Sequence, residues 1–335
     1  MSRRGAEPKP PWSAVPREVK DEVARILGSP VVRAARVYGG YAPSATFRMV
    51  LSDGRPAFFK GINGSHNEHM HRALPREERV YRALGQHLDR WAPAFLGSFK
   101  RLDWHVLLLE DLGPQTMPPW SPAKARRSAR SYAEFHASTQ GRPLPRWLSR
   151  TEHHDLAGFW RSLSESGELA STAGLARRRA AEAREWLDVA LPPLRENAER
   201  LTRLRPPHSL LHFDTRSDNV RLQGDQLRIF DWNFASVGPH EIDAAAFAQA
   251  TEAEGGPRVE RTMGWYAEVM PFRDSYLDAS VAGIAGYFAD RAWRPPMPGL
   301  PRLRAWQRKQ LKVSLAWAAR RLALPEPTWL TSVPD

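Results

Sequence analysis

The chain has 335 residues, of which 42% are hydrophobic and 26% charged, so it is long enough to bury a substantial core, and its length suggests roughly two domains. It carries 49 Lys and Arg against 37 Asp and Glu and has no cysteine, which excludes disulfide frameworks, thiolate metal sites and cysteine nucleophiles. Its N-terminal stretch lacks the apolar core of a secretory signal, and no segment approaches the roughly 18 uninterrupted apolar residues of a membrane span. We therefore expect a cytoplasmic protein that does not enter a membrane.

The net charge of +12 raises the question of nucleic-acid binding, because Lys and Arg neutralise phosphates. The basic residues are spread along the chain, and the first 113 residues hold +6 of the total. Only seven of the 49 are lysine, and the abundance of Arg, Ala and Pro is what a genome-wide codon bias produces. The charge is thus diffuse, and we do not expect a nucleic-acid partner.

The first hundred residues predict a strand-rich unit with one helix. A glycine-containing loop separates the first two strands, and residues 75–88 begin with Pro75 and place apolar side chains at every fourth position, which predicts an amphipathic helix. Gly113 and Pro114 end this region. The predicted strands, in chain order, are 31–38, 45–51, 55–62, 94–100 and 104–109.

After Pro114 the chain is mostly helical, with a short hairpin predicted from 219–223 and 227–230. The predicted fold class is therefore α+β, with a small antiparallel-sheet N-terminal domain (1–113) and a larger, mainly helical C-terminal domain (114–335). Ligands favour clefts between such domains. The segments with helical periodicity are approximately 122–139, 153–165, 171–203, 257–290 and 300–322.

The most informative motif is His212-x-Asp214 followed by Asn219, with Asp231 after the next hairpin. Kinase catalytic loops have this spacing, with the first Asp as base and the Asn and the later Asp as Mg²⁺ ligands. A hydroxyl that attacks phosphorus must lose its proton to a carboxylate, and Mg²⁺ prefers oxygen ligands. Asp214 is thus the candidate base, and Asn219 and Asp231 are the candidate metal ligands. For either segment alone, an aspartate in a solvated turn is the simpler interpretation.

The N-terminal domain supplies groups that could bind phosphates. Lys60 closes the third strand, where its ammonium could reach the α- and β-phosphates of a nucleotide. The helix after it offers Glu77 or Glu78 as the partner of Lys60. We favour Glu77, because it lies one turn before Tyr81, whereas Glu78 shares a helix face with Arg82.

The loop before the second strand is a candidate flap over the phosphates. It contains Gly39 and Gly40, and Ser44 adds a hydroxyl. The histidine-containing stretch 66–71 lacks the spacing of a metal motif, so we predict no metal there. The neighbourhood of Trp306 gives no signal beyond a helix surface.

These motifs resemble the aminoglycoside phosphotransferase and choline kinase family, which shares the bilobal protein-kinase-like fold. The resemblance runs from about residue 30 to 250 and includes Gly39-Gly40, Lys60, the 212–219 loop and Asp231-Trp232. It implies that the segment after the last predicted N-terminal strand is the hinge that holds adenine through backbone groups. Glu110 and Leu112 are therefore expected to bind the nucleotide. Asp243 corresponds to a structural anchor of the catalytic region.

The chain departs from the family pattern at two positions. Phe213 stands where the family usually has glycine, which puts a bulky ring beside the candidate base. Arg216 stands where the family usually has histidine or another small polar residue. Arg216 is a candidate to stabilise charge that develops on the transferred phosphate, and a surface arginine is an equally good interpretation.

The sequence thus predicts an ATP- and Mg²⁺-dependent phosphotransferase, with GTP as an alternative nucleotide, that acts on a hydroxyl of a small molecule. The resemblance favours an aminoglycoside or another antibiotic, and hence a role in antibiotic resistance. Alternatives are a small-metabolite kinase of the choline or homoserine type, a non-catalytic nucleotide-sensing protein and a basic nucleic-acid-binding protein. The oligomeric state stays open.

The acceptor is expected to bind in the helical domain, within parts of 140–205 and 250–322. A polycationic acceptor requires an acidic pocket, whereas this protein is net basic. The acidic residues that could nevertheless form a local acidic wall are Glu241, Glu252, Glu254, Glu268, Asp274 and Asp278.

Overall fold

A computed structural model describes residues 9–38, 44–66, 68–150 and 155–335. The chain divides into two compact units. The first unit consists of Met1–Thr116, Asp218–Phe234 and Met297–Pro301. The second unit consists of Met117–Ser217, Ala235–Pro296 and Arg302–Asp335. The last two residues of the predicted 212–219 loop and the hairpin after it thus belong to the first unit.

The secondary structure is defined here in chain order. The strands are β1 (Val31–Arg36), β2 (Ala45–Leu51), β3 (Pro56–Ile62), β4 (Phe95–Arg101), β5 (Trp104–Leu109), β6 (Ser149–Arg150), β7 (Ser209–Leu211), β8 (Val220–Gln223), β9 (Gln226–Ile229) and β10 (Ser236–Gly238). The helices are α1 (Arg17–Leu27), α2 (Glu68–Leu88), α3 (Pro122–Thr139), α4 (Phe159–Glu165), α5 (Leu169–Gly174), α6 (Ala180–Glu199), α7 (Glu241–Ala253), α8 (Val259–Ala267), α9 (Asp274–Arg291) and α10 (Leu303–Arg321).

The first unit is built on a five-stranded antiparallel sheet with the order β1-β2-β3-β5-β4. Aromatic and aliphatic side chains of β2, β3 and β5 form one buried cluster, to which α1 adds Val19, Val23 and Leu27. The sequence predicted one helix in this domain, and α1 is a second. Val19, Val23 and Leu27 recur at every fourth position among charged residues, so α1 has a clear amphipathic pattern that the sequence prediction missed.

Helix α2 begins seven residues before its predicted start and contains Pro75 in its interior, so the interpretation of Pro75 as the first helical residue is wrong. Met70 and Leu74 extend the buried stripe of this helix upstream of the proline. The apolar spacing therefore runs through Pro75, although proline removes one backbone hydrogen bond of the helix.

The hairpin of β8 and β9 pairs Val220 with Ile229 and Gln223 with Gln226, and its strands lie within one residue of the predicted bounds 219–223 and 227–230. The backbone amide of Ile229 donates to the carbonyl of Trp91 at 2.6 Å. This bond ties the hairpin to the segment after α2 within the first unit.

The second unit is mainly helical, with a small sheet in the order β6-β10-β7. Helices α3 and α10 closely follow their predicted segments. The segment predicted as 257–290 is divided into α8 and α9, and the break between them contains Pro271, a residue that disfavours helix continuation. Helix α7 was not predicted, because it is buried on nearly all sides and has no polar face to create a periodic contrast.

In the part of the chain that the structure describes, no helix combines the length and the apolar character needed to cross a membrane.

Candidate functional site

Lys60 lies on β3 of the first unit, and its ammonium is held between two carboxylates. Nζ donates to Oε2 of Glu77 at 2.6 Å and to Oδ1 of Asp231 at 2.7 Å, and the side chain is 10% exposed. Burial by itself lowers the pKa of Lys60, but the charges of Asp231 and Glu77 outweigh this effect and raise the pKa above its ordinary value. Lys60 is therefore a fixed, permanently charged cation.

Of the two glutamates considered for Lys60, the structure places Glu77 beside it. Burial raises the pKa of Glu77 above its ordinary value, against the opposing charge of Lys60. Glu78 faces other partners: its carboxylate accepts from Nε of Arg82 at 2.8 Å and lies 2.7 Å from Nε2 of His105. Adjacent positions on a helix point about 100° apart, so Glu77 faces Lys60 on β3 while Glu78 faces His105 on β5.

Asn219 and Asp231 lie at the same end of the β8–β9 hairpin. Asn219 directly precedes β8, and Phe230 alone separates Asp231 from the end of β9. The carbonyl oxygen of Asn219 accepts from the amide of Phe230 at 2.9 Å. The backbone φ of Asp231 is 68°, a left-handed conformation that aspartate tolerates better than most residues. The hairpin thus places the backbone of Asn219 beside Phe230, the residue directly before Asp231, and the carboxylate of Asp231 contacts Lys60.

The chemistry of these donors fits Mg²⁺ that arrives with a nucleotide. Mg²⁺ takes one or two protein oxygens and completes its octahedron with phosphate oxygens and water. Oε1 of Glu77 is a buried oxygen without a hydrogen-bond partner, so the site also has polar capacity that its internal bonds do not use. Among the described residues, no group of three or more His, Cys, Asp or Glu side chains could hold a metal by itself. The residues therefore fit a metal that is bound jointly by protein and phosphate.

The predicted hinge segment follows β5 and is held by two ion pairs. The carboxylate of Glu110 accepts from Arg228 at 2.7 Å, and both oxygens of Asp111 lie 2.9 Å from Nε of Arg48. Leu112 lies half-buried directly after them. The backbone of this segment is therefore fixed to the sheet and to the hairpin of the first unit.

The remaining candidates for phosphate binding lie before β2. Ser44 is buried, directly before that strand. Gly39 and Gly40 lie outside the residues that the structure describes.

In the second unit, the backbone of the predicted catalytic loop is held by Asp243 of α7. The amides of His212 and Phe213 donate to its two carboxylate oxygens at 2.6 and 2.9 Å, and the amide of Asp214 donates to Nδ1 of His212 at 3.3 Å. Phe213 has a backbone φ of 67°, in the left-handed region that favours glycine. The position at which the family usually has glycine is thus one where the backbone conformation favours glycine, and this chain has phenylalanine there.

A buried polar network supports Asp243 from α3 and α8. The hydroxyl of Tyr132 donates to Asp243 at 2.6 Å and lies 2.8 Å from the hydroxyl of Thr215, and Nε2 of His136 lies 3.3 Å from Asp243. His136 in turn contacts the hydroxyl of Tyr266 at 2.8 Å. Burial by itself raises the pKa of Asp243, but His136 and Tyr132 hold it below the ordinary value.

Tyr132 and His136 were not predicted to act on the loop. They lie four residues apart on α3 and therefore share one face of the helix. That spacing is a usable signal, but the sequence gives no indication that this face packs against the catalytic loop.

Arg216 is mostly buried, with 14% of its side chain exposed. Its guanidinium lies 3.6 Å from the carboxylate of Asp214 and 5.3 Å from the ring centroid of Trp306. Trp306 therefore contacts the candidate catalytic loop, and its interpretation as helix surface alone is wrong. Burial raises the pKa of Tyr287, and the charge of Asp214 contributes in the same direction, so this phenol also lies near the loop.

The acidic wall considered for a polycationic acceptor does not form from the six residues proposed for it. They are engaged by separate partners, most of them arginines, at different places in the second unit. The pairs are Glu241 with Arg273, Glu252 with the amide of Val259, Glu254 with Trp120 and Ser217, Glu268 with Arg126 and Arg130, and Asp274 and Asp278 with Arg321.

A family model described as the phosphotransferase enzyme family matches residues 35–279, which is more than half of the chain. A search of curated protein sequences gives no match.

Three solved structures illustrate the similarity of fold. Spectinomycin phosphotransferase in complex with ADP and spectinomycin has a TM-score of 0.58 and 13% identity, over 92% of this chain and 99% of that one. Amicoumacin kinase in complex with AMP-PNP, Ca²⁺ and Ami has a TM-score of 0.53 and 10% identity, over 90% of this chain and 94% of that one. A Thermobifida fusca protein described as a candidate fructosamine-3-kinase has a TM-score of 0.50 and 19% identity, over 89% of this chain and 100% of that one. Identities this low show a shared fold, and the predicted α+β, protein-kinase-like fold class is confirmed.

Proposed function

This chain belongs to the phosphotransferase enzyme family, and from that premise we propose that it transfers the γ-phosphoryl group of ATP to a hydroxyl group of a small molecule. The observation that carries the proposal is the pairing of Lys60 with both Glu77 and Asp231 in the first unit. A buried ammonium fixed by a helix glutamate, beside a carboxylate suited to Mg²⁺, is the arrangement that triphosphate binding requires.

On this proposal the first unit binds and orients the nucleotide. Lys60 contacts the α- and β-phosphates, and Glu77 keeps the ammonium in place. Asn219 and Asp231 would hold Mg²⁺, which, when bound, neutralises charge on the β- and γ-phosphates. Before nucleotide binds, Asp231 pairs with Lys60, so neither charge is left without a counter-charge in a low-dielectric site.

The rest of the nucleotide site follows from the resemblance. Glu110 and Leu112 offer backbone groups to the base, with ATP as the expected nucleotide and GTP as the alternative. Gly39, Gly40 and Ser44 cover the phosphates. Because the reaction consumes ATP, we place the enzyme in the cytoplasm.

Asp214 acts as the base that orients and deprotonates the acceptor hydroxyl. The oxygen of the acceptor forms a bond to the γ-phosphorus, the bond from that phosphorus to the bridging oxygen breaks, and ADP leaves with the bond's electron pair. The proton of the hydroxyl moves to the carboxylate of Asp214. Arg216 lies 3.6 Å from this carboxylate and would stabilise charge on the transferred group.

In the proposed reaction, the group that accepts the phosphoryl group is an alcohol. The fold neighbours include kinases named for spectinomycin, amicoumacin and fructosamine, so the family's acceptors range from antibiotics to metabolites. An aminoglycoside or another antibiotic is the acceptor that the resemblance favours. The alternative is a metabolite kinase of the choline or homoserine type.

The test compares Asp214→Asn with Asp225→Asn, a matched change in the exposed hairpin turn. Wild type and both variants should be stabilised against heat by Mg·ATP. ADP release, screened with aminoglycosides, other hydroxylated antibiotics, choline and sugars, should fall by roughly 10² to 10⁴ in Asp214→Asn only.

Near-normal turnover of Asp214→Asn would show that another group is the base. Stabilisation of the wild type by an oligonucleotide alone, lost at high salt, would refute the phosphotransferase proposal in favour of a nucleic-acid-binding protein.

A further inference from the structure

A row of four aromatic side chains crosses the second unit near Asp214. The ring centroids of Phe159 and Tyr287 are 5.5 Å apart, those of Tyr287 and Phe288 are 5.0 Å apart, and those of Phe288 and Trp306 are 5.6 Å apart. All three pairs are edge-to-face, with interplanar angles of 73–76°. Phe288 is buried, and the other three rings are partly exposed. We call these four residues the aromatic row.

Guanidinium groups lie over both ends of the aromatic row. Arg216 lies over Trp306, as described above, and beside Asp214. At the other end, the guanidinium carbon of Arg291 lies 5.6 Å from the centroid of Phe159 and 5.9 Å from that of Tyr287. The side chain of Arg291 is 41% exposed, so its guanidinium is accessible to a ligand.

More arginines surround Arg291. Nη1 of Arg304 donates to the carbonyl of Arg291 at 3.2 Å, and burial together with the like charge of Arg291 lowers the pKa of Arg304. Asp290 compensates part of this charge, since it lies 3.1 Å from Nε of Arg291 and 2.6 Å from Nη2 of Arg294. Glu168 is a second carboxylate, 3.3 Å from Nη2 of Arg294. The three arginines of this cluster, Arg291, Arg294 and Arg304, thus face two carboxylates, and the cluster keeps a positive charge.

The sequence around the cluster has the same bias. Residues 291–309 contain five arginines, one lysine and two tryptophans, and no Asp or Glu. The six acidic residues that were considered for a polycation are engaged elsewhere in the second unit, as described above. A polycationic acceptor would therefore place its ammonium groups beside like charges, which costs free energy at these separations.

We propose that the acceptor is an anionic small molecule in which a hydroxyl group is joined to a carboxylate and a flat apolar part. The carboxylate binds at Arg291, the flat part packs along the aromatic row, and the hydroxyl lies at Asp214. This inference rests on the proposed function, because that function makes Asp214 the point that the hydroxyl must reach.

The chemistry of the cluster matches each part of such a molecule. A guanidinium binds a carboxylate through two parallel N–H···O hydrogen bonds. It binds a carboxylate more strongly than it binds a neutral amide. Aromatic rings and the faces of guanidinium groups both favour flat partners. Tyr287 connects the two ends, since the charges of Asp214 and Arg291 both act on its phenol.

The test measures binding of two matched probes to the full chain without nucleotide, by calorimetry or ligand-observed NMR. The probes are 4-(hydroxymethyl)benzoate and its neutral amide, 4-(hydroxymethyl)benzamide, and kanamycin serves as the polycation. The benzoate should bind about tenfold more tightly than the benzamide, and kanamycin should bind more weakly than the benzoate.

Arg291→Gln should abolish the difference between benzoate and benzamide. Asp290 keeps Arg294 as a partner in this variant, so the fold should be retained, which circular dichroism checks. The matched control is Arg261→Gln on α8, where the guanidinium lies 5.0 Å from the ring of Trp265. That variant should preserve the tenfold preference.

The inference is overturned if the benzoate binds no more tightly than the benzamide, if kanamycin binds more tightly than the benzoate, or if Arg291→Gln keeps the preference. These results do not depend on ATP. The proposed function is tested separately by Mg·ATP stabilisation, so failure of one is distinguishable from failure of the other.

Discussion

Phe213 provides a direct test of backbone strain in the catalytic loop. Its φ of 67° is costly for any residue with a Cβ atom, by roughly 1–2 kcal/mol, and costs glycine little. Phe213→Ala and Phe213→Gly both remove the ring from its apolar cluster with Leu211 and Ile242, so that loss is nearly equal in the two variants. Glycine also increases the conformational entropy of the unfolded chain, which lowers the stability of the glycine variant by about 0.4–1 kcal/mol. The glycine variant should therefore be the more stable of the two by about 0.5–1 kcal/mol.

Leu204 is the matched control, because it packs in the same cluster as Phe213 but has a φ of −70°. Here the order should reverse, with Leu204→Ala more stable than Leu204→Gly by about 0.4–1 kcal/mol. Urea unfolding of all four variants, followed by tryptophan fluorescence, gives the two differences. If alanine is the more stable replacement at both positions, the left-handed conformation of Phe213 is not strained and the reasoning fails.

Two other predictions concern the partner of Lys60 and the response to acid. Glu77→Gln should weaken Mg·ATP binding about tenfold in a calorimetric titration, because the ammonium of Lys60 loses the carboxylate that holds it. Glu78→Gln should change the affinity less than about twofold. Equal effects of the two variants would contradict the choice of Glu77 as the partner of Lys60. Burial lowers the pKa of His240 to about 4, so in the unfolded chain this histidine binds a proton near pH 6.5 while in the folded chain it stays neutral to about pH 4. Stability should therefore fall by about 3 kcal/mol as the pH drops from 7 to 4, and His240→Phe should reduce that slope; an unchanged slope would refute the prediction.

The parts of the site for which the sequence offers a signal are those with local spacing. The interval from His212 to Asn219 and the following hairpin to Asp231 can be identified because one loop and one turn fix their relations. The choice of Glu77 also rested on a local argument, the face of the helix that it shares with Tyr81. Such relations persist in the folded chain, since neither depends on which distant segment packs nearby.

The parts that were missed depend on distant partners. Helix α7 carries Asp243, yet its all-round burial removes the periodicity that marks a helix at the surface. Trp306 lies 90 residues from Arg216, and no local pattern indicates their contact. The acidic wall was a hypothesis about six side chains whose partners are set by tertiary packing, and most of these partners are arginines.

The central claim is that the first unit binds Mg·ATP through Lys60 and Asp231. Calorimetric titration of ATP into the wild type, with Mg²⁺ and with EDTA, should show tighter binding with Mg²⁺, and Asp231→Ala, folded by circular dichroism, should lose that gain. An Asp231→Ala variant that retains the full Mg²⁺-dependent affinity of the wild type would contradict the account.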